Sequence, residues 1–180
     1  MKKRLRIEYF LVAAVMLLLF VGSIAATNFF FQKEMVAQQE TYLRRKNTLL
    51  TDQLPPSVFE KGQLTNQQQL LVTHALDDAE ERVTLLQKNG TVFFDSSQNE
   101  PLESHKKRPE IAAVLSGATY GSALRKSKTL NKELLYVATP VLKSGEIVGI
   151  IRISEQTALF SKNIQSFRRY IIFTFGILFL

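Results

Sequence analysis

The chain has 180 residues, of which 46% are hydrophobic, and it contains no cysteine. The absence of cysteine excludes disulfide bridges, thiolate metal sites and a cysteine nucleophile. The formal net charge is +7, but the basic residues form no stripe interleaved with aromatic residues, so we expect no nucleic-acid partner. The order of histidines, carboxylates and serines indicates neither a catalytic site nor a metal site, and we expect none in these residues.

The N-terminus has the pattern of a basic cytoplasmic end followed by a membrane-spanning helix. Residues 1–8 contain four basic residues and Glu8, which gives a local charge of +3 (4 − 1). No charged residue occurs from Tyr9 to Gln32, and a helix of that length covers roughly 36 Å, more than the hydrocarbon core of a bilayer. Because basic residues favour the cytoplasmic side, we expect a transmembrane helix over residues 9–31 and an extracytoplasmic segment after it.

A cleaved signal peptide is the alternative interpretation of this segment. The basic start and Ser23-Ile24-Ala25 resemble a signal sequence and its cleavage site. The apolar run is long for a signal, however, and Phe29-Phe30-Phe31 continues beyond the possible cut. We therefore favour an uncleaved anchor.

The C-terminus predicts a second membrane helix that is cut short. Tyr170–Leu180 is apolar to the last residue, yet eleven helical residues reach only about half of a bilayer. We expect residues 169–180 to begin a truncated second transmembrane helix, preceded by an exit helix over Gln156–Arg169. Arg168 and Arg169 would then lie on the outer side, against the usual bias for basic residues inside.

A long helix is predicted to continue outward from the first membrane segment. Gln32–Leu54 contains neither glycine nor proline, and Pro55-Pro56 ends it. Apolar pairs recur along it at a spacing of seven, at Met35/Val36, Tyr42/Leu43 and Leu49/Leu50. Such a stripe packs either on its own domain or on a second copy in a homodimer, and both interpretations stay open.

The pattern becomes strand-like after about residue 80. Thr65–Gln68 fits a capping box that opens a helix ending near Asp77. Asn89-Gly90, between Arg82–Lys88 and Thr91–Asp95, predicts a β-hairpin with a type I′ turn. The remaining elements are a short helix over Pro109–Ser116 and strands over Tyr120–Lys126, Glu133–Leu142 and Glu146–Ser154. This order predicts an α+β fold of consecutive hairpins with the helices on one side.

Several motifs in this region resemble a known family. They are Arg82-Val83-Thr84-Leu85, Gly90-Thr91-Val92, Asp95-Ser96, His105-x-x-Arg108-Pro109-Glu110-Ile111, Gly117, Tyr136-Val137-Ala138, Pro140, Gly145 and Arg152-Ile153-Ser154. Together they resemble the extracytoplasmic domain of phosphate-regulon sensor histidine kinases of Gram-positive bacteria. The resemblance implies a PAS-like (Cache/PDC) sensor domain over residues 32–168, with a five-stranded antiparallel sheet at about 82–154.

The resemblance also implies parts beyond this chain. These are a completed second transmembrane helix, a HAMP segment and a kinase core that binds ATP and Mg²⁺ and phosphorylates a histidine. His74 and His105 lack a phosphoacceptor context, and no glycine-rich phosphate loop occurs. We therefore expect these residues to be the non-catalytic input module of a two-component kinase that responds to an envelope or phosphate-starvation signal. The expected partners are the membrane, a second copy, a cell-wall polymer or envelope protein, and a response regulator that binds the missing region.

Two other classes of protein fit the same pattern. One is a chemoreceptor or cyclase receptor with the same outer module, and the other is a membrane-tethered structural protein with no signalling output. The sequence after Leu180 would distinguish them.

Six residues are candidates for a ligand or partner site: Asp95, Ser96, His105, Arg108, Glu110 and Arg125. Asp95-Ser96 closes a strand and enters a polar loop, so a cap or Asx-turn role is its default interpretation. His105 lies beside basic residues, so it could report pH or bind an anion, and a structural ion-pair network is the alternative. The cations Lys106, Lys107, Arg108, Arg125 and Lys126 could attract anionic polymers or form a solvated surface.

Overall fold

The computed structural model describes residues 2–76, 81–97, 103–127, 131–157 and 169. The chain divides into two compact units, Met1–Ala37 and Gln38–Leu180. Helix α1 spans Lys2–Gln53 and supplies the whole described part of the first unit. Over Arg6–Gln53 this helix is long and apolar enough to cross a membrane, and its most apolar stretch is not buried by other parts of the chain. That finding agrees with the predicted first anchor, whereas the predicted second anchor lies outside the described residues apart from Arg169.

Two short helices follow α1 in the second unit. Helix α2 (Pro56–Lys61) has proline in its first turn and ends at Gly62, whose φ of +66° is the left-handed conformation that glycine tolerates. Helix α3 (Asn66–His74) begins at the predicted capping box: Gln68 N donates to the Thr65 hydroxyl, and Thr65 N donates to the Gln68 side chain. The helix ends at His74, three residues before the predicted end.

Five antiparallel strands form the sheet, which confirms the α+β class. They are β1 (Arg82–Gln87), β2 (Val92–Asp95), β3 (Gly121–Lys126), β4 (Glu133–Lys143) and β5 (Glu146–Gln156). Their order in the sheet is β2-β1-β5-β4-β3, so the last strand lies at the centre and pairs with β1 as well as β4. The expected order of consecutive hairpins is therefore interrupted, because β1 pairs with the last strand and not with β3.

The predicted hairpin between β1 and β2 is present, but its turn is not type I′. A type I′ turn needs positive φ at both central residues, and only Gly90, with a φ of +86°, has it. Gly90 N donates to Gln87 O, and Gln87 N donates to Thr91 O. Asn89 keeps a negative φ, and its side-chain oxygen accepts from Thr91 N. Because Gln87 pairs with Thr91, residues 88–90 form a three-residue loop, one residue longer than the predicted two-residue turn.

Helices cover both faces of the sheet. Gly149 lies against the ring of Phe59 in α2, where an added Cβ would lie 2.3 Å from Phe59 Cδ1. Its neighbour Ile150 points to the opposite face, since successive strand side chains alternate, and shares a buried cluster with Ile111 of α4 (Pro109–Leu115). Helix α4 therefore lies on the face opposite α2, whereas the sequence pattern predicted all helices on one side.

The outer part of α1 packs on its own domain through half of the predicted apolar stripe. Leu43 and Leu50 are buried, and the side chain of the buried Asn47 donates to Val137 O of β4 over 2.9 Å. Their neighbours Tyr42 and Leu49 are exposed. The interpretation that the stripe packs on its own domain is confirmed for these leucines, and the homodimer stays a prediction.

Candidate functional site

The sheet face under α4 carries polar and charged side chains next to an apolar half. Register pairs Thr84 with both Asp95 and Arg152, so these three residues share one face of three adjacent strands. Further along the same face, Leu86 and Ile150 pair with each other and belong to the apolar cluster under α4. The apolar half fixes the helix to the sheet, and the polar half lies at the start of the helix.

Glu110, in the first turn of α4, is fully buried and lies between two arginines of the sheet. Its Oε1 accepts from Arg125 Nη2 of β3 over 2.9 Å and from Arg152 Nη1 of β5 over 3.2 Å. The helix approaches the sheet closely here because Gly121 has no side chain: an added Cβ would lie 2.1 Å from Glu110 O. One glycine therefore permits the contact that brings the carboxylate to the arginines.

The pKa of Glu110 is held below its ordinary value despite burial. Burial opposes the charged form, but the hydrogen bond from Arg125, a hydrogen bond from the backbone N–H of Glu110 itself and the charges of Arg125 and Arg152 outweigh it. Burial lowers the pKa of Arg152 to about 10, against the opposing effect of Glu110. Both groups are therefore charged at neutral pH.

A second carboxylate, Asp95, anchors the other end of the polar half. Arg82 Nε donates to Asp95 Oδ1 at 2.8 Å and to Oδ2 at 3.0 Å, and the Thr84 hydroxyl donates to Oδ2 at 2.9 Å. Arg152 Nη2 in turn donates to the Thr84 hydroxyl oxygen at 2.9 Å. The Thr84 hydroxyl therefore joins the two carboxylate clusters into one chain of hydrogen bonds. Asp95 also accepts from Ser97 N at 3.0 Å, which confirms its predicted turn-capping role.

His105 is buried above this network. Its backbone N donates to Gly90 O, and its carbonyl accepts from Arg108 N at the start of α4. Burial lowers the pKa of His105 to about 4, assisted by the charges of Arg152, Arg108 and Arg82, while Asp95 opposes the shift. The imidazole is therefore neutral at neutral pH.

Tyr136 of β4 packs against both arginines that contact Glu110. The guanidinium of Arg125 lies 3.7 Å from the centre of the Tyr136 ring, and that of Arg152 lies 5.0 Å from it. An aromatic face stabilises a cation at such distances and also limits the orientation of a planar guanidinium. The ring therefore helps to hold the two arginines towards the same carboxylate.

We define the buried network as Arg82, Thr84, Asp95, His105, Glu110, Arg125, Tyr136 and Arg152. Three guanidinium groups face two carboxylates, so with a neutral imidazole the formal balance is +1 (3 − 2). Several of its buried atoms have no hydrogen-bond partner in the described part of the chain: Glu110 Oε2, Arg125 Nε, Arg152 Nε and His105 Nδ1. Burying such groups without partners is costly, so a hydrogen bond from a ligand to any of them would stabilise the network.

The structure brings together four of the six predicted site residues, Asp95, His105, Glu110 and Arg125, in this network. Ser96 lies beside it: its backbone N donates to Val83 O, and its hydroxyl accepts from Val83 N, so it extends the pairing of β1. Arg108 is the N-terminal cap residue of α4 and affects the network through its charge on His105.

Sequence reasoning did not assign Arg82, Thr84, Tyr136 or Arg152 to the site. An available signal was the isolated charge of Arg152 within the apolar run Ile150-Ile151-Arg152-Ile153. A charged residue at an inward position of a central strand needs a buried partner.

The central strand β5 also contacts α1 on the face away from the network. The Gln39 side chain of α1 donates to a carboxylate oxygen of Glu155 near the end of β5. Beside it, Lys46 Nζ of α1 lies 2.6 Å from Glu81 Oε2, immediately before β1. Because Arg152 and Glu155 project from opposite faces of one strand, β5 contacts both the buried network and α1.

A five-stranded antiparallel sheet with helices on both faces, preceded by a long apolar helix, places the chain among small α+β domains. The family model described as Single Cache-like matches residues 52–156. The chain belongs to this Cache-like family. An apolar N-terminal helix followed by a Cache domain indicates a membrane-anchored protein with an extracellular sensor domain.

Comparison with solved structures gives the same fold. The sensor domain of the Vibrio cholerae histidine kinase DctB has a TM-score of 0.59 at 18% identity, over 74% of this chain and 54% of that one. The ligand-binding domain of the Campylobacter jejuni chemoreceptor Tlp3, in complex with 4-methylisoleucine, has a TM-score of 0.53 at 12% identity, over 77% of this chain and 60% of that one. The match thus spans about half of the DctB domain. A comparison with curated protein sequences gives no match.

Proposed function

We propose that this chain is the input module of a membrane-bound two-component histidine kinase. Residues 1–8 would lie in the cytoplasm, residues 9–31 would cross the membrane, residues 32–168 would form the outer sensor domain, and a second span would begin at residue 169. The kinase core outside this chain would bind ATP and Mg²⁺ and would transfer a phosphoryl group to a response regulator. The signal would be an envelope or phosphate-starvation signal, as the resemblance of the motifs in residues 82–154 implies.

The observation that carries this proposal is the position of β5. Arg152 lies in the buried network on one face of the strand, and Glu155 accepts a hydrogen bond from Gln39 of α1 on the other. A packed strand cannot shift on one face without altering its contacts on the other. A change at the network would therefore reach α1, and the ligand's differential affinity for two domain states would set its size, typically about 1–3 kcal/mol.

A chemoreceptor or cyclase receptor with the same outer module is the second candidate. The fold likeness to the Tlp3 ligand-binding domain favours the chemoreceptor as much as the likeness to DctB favours the kinase. A membrane-tethered protein without signalling output is the third candidate. In such a protein the contacts of β5 with α1 would transmit no signal.

Partners are proposed from exposed surfaces. Tyr42 and Leu49 are exposed on α1 and suit a parallel helix of a second copy. Lys106 and Lys107 are exposed ahead of α4 and suit an anionic cell-wall polymer or an acidic envelope protein.

The test is phosphorylation of the full-length gene product in membranes. Incubation with labelled ATP and Mg²⁺ should give a phosphoryl group that is labile in acid and stable in base, as a phosphohistidine is. A substitution of the phosphoacceptor histidine in the region beyond Leu180 should abolish the label and serves as the control. Absence of such a label in the wild-type protein would contradict the kinase and leave the receptor or structural candidates.

A further inference from the structure

We propose that Glu110 is a tethered occupant of an oxyanion site formed by Arg125 and Arg152, and that a free carboxylate or phosphate competes with it for these arginines. The inference rests on the proposed sensing function and names the class of ligand that the buried network would take. It follows from the incomplete bonding of Glu110, the surplus of positive charge and the element that carries the carboxylate.

The bonding of Glu110 to the arginines is incomplete. A carboxylate and a guanidinium pair best through two parallel hydrogen bonds, but Glu110 uses Oε1 for both arginines and leaves Oε2 without a partner. Arg125 and Arg152 each keep a buried Nε–H without an acceptor. A free oxyanion could align two oxygens with one guanidinium and satisfy donors that Glu110 leaves unsatisfied.

The charges favour an additional or better-placed anion. Arg82 is paired with Asp95, whereas Arg125 and Arg152 share the single carboxylate of Glu110. His105 stays neutral at neutral pH and adds no charge. The buried Arg152 and the partly exposed Arg125 share one anion, so their charges lack full compensation within the network. An oxyanion that enters from solution would therefore be attracted to Arg125 and Arg152.

The position of Glu110 makes it replaceable without unfolding the sheet. Glu110 lies on α4, a helix of seven residues, whereas both arginines lie on strands of the sheet. Ile111 and Val114 anchor the helix in the apolar cluster, so the carboxylate can withdraw while the helix stays attached. The Arg125 side chain is 21% exposed, so solution reaches the arginines from its side. Displacement of Glu110 would change the packing of α4 on β3 and β5.

A purely structural Arg–Glu–Arg cluster is the alternative, and binding experiments distinguish the two. The full-length protein in lipid nanodiscs would be titrated with sodium acetate or inorganic phosphate, with chloride keeping the ionic strength constant, while the thermal midpoint is measured. The test variant is Glu110→Gln, which keeps the shape and removes the competing charge. The matched control is Glu60→Gln, which breaks an exposed ion pair with Lys143 on α2.

We expect a saturable rise of the midpoint in Glu110→Gln. The apparent Kd of Glu110→Gln for acetate or phosphate should be about tenfold or more below that of the wild type, because no charged side chain then competes for the two arginines. Glu60→Gln should behave as the wild type, and adding Arg125→Gln to Glu110→Gln should abolish the response. Acetate or phosphate acting alone would identify which oxyanion fits. Equal affinities in wild type and Glu110→Gln, or an equal effect of chloride, would overturn the proposal.

If Glu110→Gln does not fold, a second measurement tests whether a free oxyanion displaces Glu110 from the arginines. Hydrogen exchange of the wild-type protein should be faster in the amides of α4 with acetate or phosphate than with chloride, since displaced Glu110 no longer holds the start of the helix. Unchanged exchange in α4 would overturn the proposal. Either result is independent of phosphoryl transfer, so failure of the oxyanion site and failure of the kinase assignment are distinguishable.

Discussion

Glu110 of α4 and Arg152 of the central strand form a buried ion pair, with Arg152 Nη1 3.2 Å from Glu110 Oε1. Their side chains are 0% and 2% exposed, so neither charge can recover the hydration that it lost on folding. The pair joins the helix that covers the network to the strand that contacts α1. A change at this pair would therefore affect both the packing of α4 on the sheet and the proposed signal.

Removal of the carboxylate should destabilise the domain strongly. Glu110→Ala would leave the buried Arg152 and the partly exposed Arg125 without their common anion, and loss of one partner of a buried pair costs about 3–5 kcal/mol. Glu60→Gln, which breaks the exposed pair with Lys143, should cost less than about 1 kcal/mol. Urea unfolding of both variants measures the difference. Equal midpoints for the two variants would show that the pair has no such role.

Stability should fall as the pH decreases from about 6.5 towards 4, because of His105. Its pKa is lowered to about 4 in the folded protein, so the unfolded chain binds a proton first over this range and is favoured. Arg82, Arg108, Arg152 and Asp95 are the charged groups around it. The lowered pKa of Glu110 acts in the same direction at more acidic pH, since stability is lost as the carboxylate protonates.

Two histidine variants separate this contribution from others. His105→Gln should flatten the decrease in the free energy of unfolding between pH 6.5 and 4, whereas His74→Gln, at an exposed position of α3, should leave it unchanged. Equal slopes for wild type and His105→Gln would contradict the assignment. Between pH 6.5 and 8 we expect little change from His105, which argues against its role as a sensor near neutral pH.

Two glycines should respond differently to alanine. A Cβ on Gly121 would lie 2.1 Å from the backbone O of Glu110, whereas a Cβ on Gly149 would meet the side chain of Phe59. Gly149→Ala must displace the buried Phe59 ring, and such overpacking costs about 1–3 kcal/mol. Gly121→Ala must displace the backbone of α4 at a shorter distance, so it should cost more. Gly121→Ala should also separate Glu110 from Arg125. Thermal unfolding of the two variants measures the order, and the reverse order would contradict the close packing of α4.

Asn47 tests the contact between α1 and the sheet. Its amide donates to Val137 O and is fully buried, so Asn47→Asp would remove the donor and bury a carboxylate. We expect a loss of about 3 kcal/mol or more at neutral pH. The same change at an exposed position of α1, Gln53→Glu, should cost about 0.5 kcal/mol or less. Similar losses in the two variants would show that α1 is not fixed to β4 through this residue.

Local chemistry in the sequence predicted most elements, but not their arrangement. Thr65 and Gln68 specify a helix start through their own side chains, and Pro109 and Gly117 bound α4 through backbone preferences. The central position of β5 depends on pairing between β1 and residues some seventy positions away, which no local pattern encodes. The turn at Asn89-Gly90 differed because the dipeptide also fits a longer loop whose single left-handed residue is Gly90.

The site was predicted only in part, because its contacts also depend on long-range strand pairing. Asp95 ends β2 and Glu110 lies in the first turn of α4, on either side of the polar segment that contains His105, so the sequence alone identifies all three as candidates. Arg152 and Thr84 lie within strands, and their inward direction depends on a register that is set only when the strands pair. The second membrane span predicted over residues 169–180 remains a prediction.

We propose that the buried network controls an output through β5 and α1. The most direct test compares the autophosphorylation rates of full-length wild type, Glu110→Gln and Glu60→Gln in nanodiscs under identical conditions. We expect Glu110→Gln to change the rate by roughly 5-fold or more, the lower end of ordinary allosteric coupling, and Glu60→Gln to match the wild type. Equal rates in all three folded proteins would contradict the proposal.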